Sequence, residues 1–491
     1  MTEHVGGTVM PPRYTAFEEP EPVPPALESQ LAVALREADI GHCRYPGSIH
    51  RFPRAATHRT LDLLVDPADA ARFAVVVAQL GYKRAVTAPV DQIPDSESFV
   101  GADARGGLVH VRAHHRLIVG DWRAQHYRLP VERALLRSVR EACPFPLPGE
   151  PFELLVAVLR WVIDGATSEP DLRRLTNTIP RSAVHRLIAD LLPCVDPALF
   201  DECLAASLSG TSWWRRRALR RALASRLDAY RRRPSMMARI AKLTRLLTLG
   251  GRIGAPGQKL RLVSGGKVIA LIGGDGSGKS TCARELSRWL SPLFDVQSVN
   301  LGWPRRSLAS LAVGGTLRTS ALIATLLGAD AAERVVWNDE SNRFPGYVAL
   351  LRHVCNARDR HACYVRIHQF AENGGIALCE RYPIMQSEPI DGSRIRAVAA
   401  HAPNQRIAGM LGDAEERYYR QFVPPDQAIV LFVEPDLAVS RKPNEPAPDV
   451  RRHAQVIWDT DWSAARARVL DAGRPLPIVL AELKAAVWAE L

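Results

Sequence analysis

Lys279 and Ser280 close the glycine-rich stretch Leu271-Ile-Gly-Gly-Asp-Gly-Ser-Gly-Lys-Ser-Thr281, and an ammonium beside a hydroxyl at the end of such a loop is chemistry for a polyphosphate. Gly273, Gly278, Lys279 and Ser280 satisfy the spacing Gly-x-x-x-x-Gly-Lys-[Ser/Thr]. The glycines let the backbone turn its N–H groups toward an anion, Lys279 neutralises the outer phosphate oxygens, and the Ser280 hydroxyl suits Mg²⁺. The apolar run Val268-Ile-Ala-Leu-Ile272 precedes the loop as a strand, and Cys282-Ala-Arg-Glu-Leu-Ser-Arg-Trp-Leu290 follows it as an amphipathic helix. The expected nucleotide contacts are Gly273, Gly274, Gly276, Ser277, Gly278, Lys279, Ser280 and Thr281, with ATP or a similar nucleotide and Mg²⁺ as cofactors.

Switches, motors and kinases all use such a loop, so a second set of phosphate-binding cations decides between them. Two patches qualify. Ala357-Arg358-Asp359-Arg360 reads as part of a helix, and Ile376-Ala-Leu-Cys-Glu380-Arg381-Tyr382 as a buried strand ending in charge. A strand that delivers Glu380 and Arg381 at its carboxyl end puts them at the mouth of a parallel sheet, the edge onto which the loop also opens.

With these pieces in order, residues 266 to 491 resemble the thymidylate kinase family of P-loop nucleoside monophosphate kinases. The resemblance rests on Asp275-Gly-Ser-Gly-Lys-Ser-Thr281, Ala-Arg-Asp-Arg360, Glu380-Arg-Tyr382, and the strand and helix Ala428-Ile-Val-Leu-Phe-Val-Glu-Pro-Asp-Leu-Ala-Val-Ser-Arg-Lys442. It implies that Asp275 faces the acceptor, that Arg360 and Arg381 hold the acceptor phosphate with Tyr382 beside them, and that Arg441 begins a lid with Arg451 and Arg452. Lys279, Arg381, Asp275 and Arg441 are then the catalytic candidates, and Ser280 and Glu380 the metal candidates. Several residues depart from the family. Ile272 replaces an acidic residue, Glu380 stands for aspartate, Val299-Asn-Leu-Gly-Trp-Pro-Arg-Arg306 follows the second strand, and Pro383-Ile-Met-Gln-Ser-Glu-Pro-Ile-Asp391 replaces the segment that addresses thymine. Phosphate recognition needs cations and N–H groups, whereas base recognition needs particular hydrogen-bond partners, so the reaction class is expected to survive better than thymidylate specificity.

The elements that must position these residues form three regions after a proline-rich tail at 1–25. Residues 26–145 mix strand and helix patterns, 146–250 are helical, and 266–491 alternate strand and helix, with glycines at 250–257 as the boundary. The fold class expected is α/β: a P-loop NTPase parallel sheet at the C-terminal end, an α+β nucleotidyltransferase-like domain first, and a helical region between them. No apolar run reaches the roughly 18 residues that a membrane span needs. The eight cysteines show no Cys-x-x-Cys pair, and reduced thiols in a cytoplasm are expected.

The net charge of +12 is concentrated between Trp213 and Arg245, where twelve Lys/Arg face Asp228 alone. Leu219, Leu223, Leu227 and Tyr230, then Met236, Ile240, Leu243 and Leu247, predict two basic amphipathic helices broken at Pro234. Packing between domains with a solvated face and peripheral contact with an anionic membrane through 213–245 both stay open. Nothing here reads a base sequence, and a homodimer is open.

In the first region Gly47-Ser48, the strand Thr60-Leu-Asp-Leu-Leu-Val-Asp66 and the strand Gly107-Leu-Val-His-Val-Arg112 resemble the start of a nucleotidyltransferase. That family carries paired carboxylates for two Mg²⁺ ions, yet Thr60 and His110 leave Asp62 alone here. A binding or scaffolding role is expected of a degenerate domain. His58, His110, His114 and His115 lack the carboxylate or cysteine that would complete a metal spacing. The expected function is ATP-dependent phosphoryl transfer to a phosphorylated small molecule, a nucleoside monophosphate first. A regulatory ATP-binding protein and a nucleotidyltransferase acting through the first domain are the alternatives.

Overall fold

The computed structural model describes residues 26–46, 59–87, 92–103, 106–120, 127–164, 169–232, 259–304, 307, 310–311, 344–384, 392–465 and 467–491. The tail 1–25, the Gly47-Ser48 turn, His58, the second basic helix expected after Pro234 and the glycine boundary at 250–257 lie outside these residues.

Two sheets organise the chain. The second is the one that carries the glycine-rich loop, and its strands are β9 (Lys267–Ile272), β10 (Val296–Asn300), β11 (Ile376–Glu380), β12 (Gln427–Phe432) and β13 (Arg468–Asp471). They run parallel in the order β10-β11-β9-β12-β13. Both faces of this sheet are covered, so β9 is apolar at consecutive positions and buried from Val268 to Ile272. The chain leaves β9 toward β10 and β11 on one side and later reaches β12 on the other. The carboxyl end of β9 is therefore the topological switch point, where a crevice opens in doubly wound sheets.

One face of this sheet packs on α10 (Tyr347–Glu372) and α14 (Ala447–Asp459), through Cys363, Tyr364, Ile367, Ala371 and Ile457. The opposite face packs on α9 (Lys279–Leu290) and α15 (Leu476–Glu490). In α9 the buried residues Cys282, Ala283, Leu286 and Leu290 recur at helical spacing, which fixes the helix that the loop opens.

The first sheet has the order β1-β2-β5-β4-β3-β8, from β1 (His42–Arg44), β2 (Arg59–Val65), β3 (Lys83–Thr87), β4 (Ser96–Ala102), β5 (Leu108–His114) and β8 (Leu260–Leu262). Only β2 and β5 pair in parallel; the other neighbours are antiparallel. Leu61, Leu63, Val65, Val109, Val111 and Ala113 alternate onto the face covered by α1 (Leu27–Glu37) and α2 (Ala70–Gln79). On the other face Ala85, Val100, Leu108, Leu260 and Leu262 join the core built by α9 and α15. Trp289 Nε1 also donates to Gly106 O at 2.6 Å and Trp488 Nε1 to Gly81 O at 3.3 Å. These two helices are thus packed between the sheets.

Helices α4 (Glu150–Asp164), α5 (Glu169–Thr178), α6 (Arg181–Leu191), α7 (Pro197–Leu208) and α8 (Trp213–Arg226) form the middle region around one core. All eight cysteines are free thiols, and only Cys143 and Cys194 are exposed. Among the described residues no helix is long and apolar enough to cross a membrane.

Candidate functional site

The loop between β9 and α9 is held by backbone contacts that only glycine permits. A Cβ on Gly276, whose φ is +81°, would lie 2.5 Å from Ala438 O, and one on Gly274 would lie 2.7 Å from Ala454 Cα. The loop is therefore clasped by α13 (Pro435–Ser440) and α14. Lys279 is buried, and its Nζ donates to Gly273 O at 2.7 Å and Gly274 O at 2.6 Å. The Ser277 hydroxyl is buried in the loop without a hydrogen-bond partner, an orphan donor that a phosphate oxygen would satisfy. These features fit a polyphosphate. Thr281, in the first turn of α9, is half-buried.

Three elements converge beside the loop. Ser280 Oγ donates to Glu380 Oε2 at 2.6 Å, which sets two oxygen ligands suited to Mg²⁺ side by side at the end of β11. Arg381 Nη2 donates to Asp275 Oδ1 at 2.7 Å, and His453 Nδ1 to Asp275 Oδ2 at 2.8 Å. A carboxylate only accepts, so Nδ1 carries the proton in this contact. The His453 hydrogen bond, with the charges of Arg381 and Lys279, outweighs partial burial and holds the Asp275 carboxyl well below the usual carboxylate range. Arg381 has φ +54°, a left-handed conformation that costs a non-glycine residue about 1–3 kcal/mol. That turn directs its guanidinium from the strand end to the loop. Gly302 sits against the Arg381 side chain, so the segment after β10 borders the same cluster, with Trp303 75 % exposed.

The other candidates are placed as follows. Arg360, on α10, donates to Tyr419 Oη at 2.8 Å. Its neighbour Asp359 is buried and accepts from Ser307 N at 3.0 Å and Ser310 Oγ at 2.5 Å. Tyr382 is fully buried, donates to Val423 O at 2.7 Å and meets His368 Nε2 at 3.1 Å, so its ring is part of the core under the strand end. Arg441 closes α13 and donates to Ala472 O at 3.0 Å. Arg451 pairs with Asp436 and Arg452 with Asp449 at 3.5 Å.

His453 is the functional candidate that sequence reasoning missed. A signal was present: Val450, Ala454 and Ile457 form the buried stripe of α14, and helical spacing puts His453 next to that stripe while Arg451 and Arg452 fall away from it.

In the first sheet, Asp62 lies between Arg112 Nη1 at 3.4 Å and His114 Nε2 at 3.2 Å. Burial raises the Asp62 pKa, but the His114 hydrogen bond and the charges of Arg112, His114 and His110 win, leaving its carboxyl well below its ordinary range. The His114 ring stacks on Tyr45 with centroids 4.0 Å apart, and the Arg160 guanidinium lies 5.3 Å from the Tyr45 ring on its way in from α4. Among the described residues no three His, Cys, Asp or Glu side chains group to hold a metal.

No protein-family model matches the chain, and no curated protein matches it. Among solved structures, a thymidylate kinase from Candida albicans is 16 % identical, with a TM-score of 0.29, over 46 % of this chain and 90 % of that one.

Proposed function

We propose that the chain transfers the γ-phosphoryl group of ATP to a phosphorylated small molecule, a nucleoside monophosphate being the first acceptor class. The observation that carries this reading is the Asp275–Arg381 pair at 2.7 Å, which joins the phosphate-holding loop to the end of β11. One side chain separates the donor's cradle from an arginine placed to meet a second anion once the pair opens.

In the reaction an acceptor phosphate oxygen bonds to the γ-phosphorus as the bond from that phosphorus to its bridging oxygen breaks, and ADP leaves. Catalysis of this step is mostly positioning and charge neutralisation. Lys279 exchanges the two loop carbonyls for phosphate oxygens, and the Ser277 hydroxyl and loop N–H groups donate to the same phosphates. Arg381 exchanges Asp275 for the acceptor phosphate, and Asp275, kept ionised by His453, turns to the rest of the acceptor. Arg360 and Arg441 are the further cations. A Mg²⁺ held through Ser280 and Glu380 supplies charge neutralisation at the donor when bound.

The test is transfer of γ-phosphate from ATP across a panel of nucleoside monophosphates and sugar phosphates. One acceptor is expected to be phosphorylated, and Lys279→Ala to lower that rate by at least about 10²-fold. A second reading, a nucleotide-binding regulator without transfer, draws on the engagement of Lys279, Arg381 and Arg360 with the protein's own groups. ATP binding with no transfer to any acceptor on the panel would replace the first reading by the second.

A further inference from the structure

The exposed face of α8 has a composition that folding alone does not explain. Its fourteen residues hold six arginines and no acid, and they start with Trp213-Trp214. Arg215 and Arg216 occupy the first turn and Arg217 follows them, at the end where the helix dipole disfavours cations. Arg216–Arg220 and Arg217–Arg221 add like charges one turn apart. The two tryptophans are 59 % and 73 % exposed, and they meet edge to face with centroids 4.3 Å apart.

The orientation of this helix is fixed from inside. Leu219 and Leu223, with Leu227 just beyond, are buried in the core of the middle region. Arg216 is tied inward, donating to Trp161 O with its guanidinium 4.8 Å from the Trp161 ring. Opposite the buried stripe stand Trp214, Arg217 and Arg221, spaced i, i+3 and i+7 on one face. The Arg217 guanidinium lies 5.3 Å from the Trp213 ring, and Arg215, Arg220 and Arg226 are exposed at the flanks.

We propose that this face docks on an anionic membrane surface, the tryptophans entering the headgroup layer and the arginines meeting lipid phosphates and carboxylates. Charge complementarity sets the sign of the partner. Exposed tryptophan beside arginine suits an interface that is apolar on one side and wet on the other. Shape decides between the two polyanions. Single-stranded nucleic acid is held in a groove whose aromatic side chains stack on successive bases. Here the aromatics and cations stand on the convex side of one helix, about 21 Å long at 1.5 Å per residue, and a flat bilayer can meet that face along its length. The proposal is independent of the chemistry at the loop.

The test uses the full chain and sedimentation with phosphatidylcholine vesicles, with and without phosphatidylserine. Binding is expected only with the anionic lipid and is expected to weaken as salt rises. Each arginine near such a leaflet contributes about fivefold, so Arg217→Glu with Arg221→Glu should weaken binding by at least about 25-fold. Trp214→Ala should also reduce the quenching of tryptophan fluorescence by brominated anionic lipid, with Trp213 supplying the remainder. Circular dichroism and the thermal midpoint of each variant check that these exposed substitutions leave the fold intact. Absence of binding to anionic vesicles overturns the proposal, as does equal binding by the folded double variant. Tighter binding to a single-stranded oligonucleotide than to anionic vesicles overturns it as well.

Discussion

Two aspartates in this chain are each held by an arginine and a histidine, and they differ in where the partners come from. Asp62 takes Arg112 and His114 from the adjacent strand β5 of the same sheet, with side chains 10 % and 8 % exposed. Asp275 takes Arg381 from the end of β11 and His453 from α14, with side chains 26 % and 24 % exposed. Neighbouring strands fix the first cluster by backbone ladders, so it is rigid whenever the sheet is folded. Three independent elements meet in the second, and a displacement of any one of them opens it. The same three side-chain types therefore make a structural cluster in one sheet and a candidate site in the other.

The largest expected effect tests the rigid member. Asp62→Asn removes the buried negative charge that Arg112 and His114 share and is expected to cost about 3 kcal/mol of stability, read by urea unfolding, while the proposed phosphoryl transfer by the folded protein stays unchanged. A loss of activity in folded Asp62→Asn would move the chemistry to the first sheet. Arg381→Ala is expected to do the reverse. Transfer should fall by about 10²-fold with the thermal midpoint nearly unchanged, because its pair with Asp275 is partly solvated.

Acid separates the clusters more finely. The Asp62 carboxyl is held below its unfolded value, so its contribution is complete above about pH 4, the ordinary aspartate range, and fades as pH falls through the depressed native value. In unfolding curves the stability gap between the wild type and Asp62→Asn should hold steady from about pH 6 to the ordinary aspartate range and narrow below it. A gap of constant size would mean that ionisation of Asp62 is not what holds the cluster. The smallest effect belongs to Arg451, whose pair with Asp436 is exposed. Arg451→Ala should change stability by less than about 1 kcal/mol, and a large loss of transfer would instead put Arg451 among the site cations.

The loop, its strand and its helix were legible because glycine spacing, an apolar run and a 3.6-residue stripe are local signals. The convergence of Asp275, Glu380 and Arg381 was legible through strand ends alone. The left-handed turn of Arg381 was not, since nothing local to that residue favours φ above zero. The double packing of α9 and α15 was also hidden, as one-sided amphipathicity does not say what covers a helix. Leu476–Glu490 does carry a trace of it, with apolar residues on more than one face. Leu260–Leu262 gave no warning, because three residues are too few to show a period and their strand is defined by long-range pairing, with β3 on one side and a bridge to Phe294 on the other.

That short strand has a consequence for any attempt to separate the halves. Leu260 and Leu262 belong to the first sheet by hydrogen bonding, yet Gly265 and Gly266 lead from them straight into the strand that feeds the loop. A cut just before Leu260 therefore removes the edge of the first sheet and bares β3, an open ladder that invites pairing between molecules. The halves are spliced like interlocked fingers, and a ligand that tightens the loop should be felt as slower amide exchange in Lys83–Thr87, far from anything it touches.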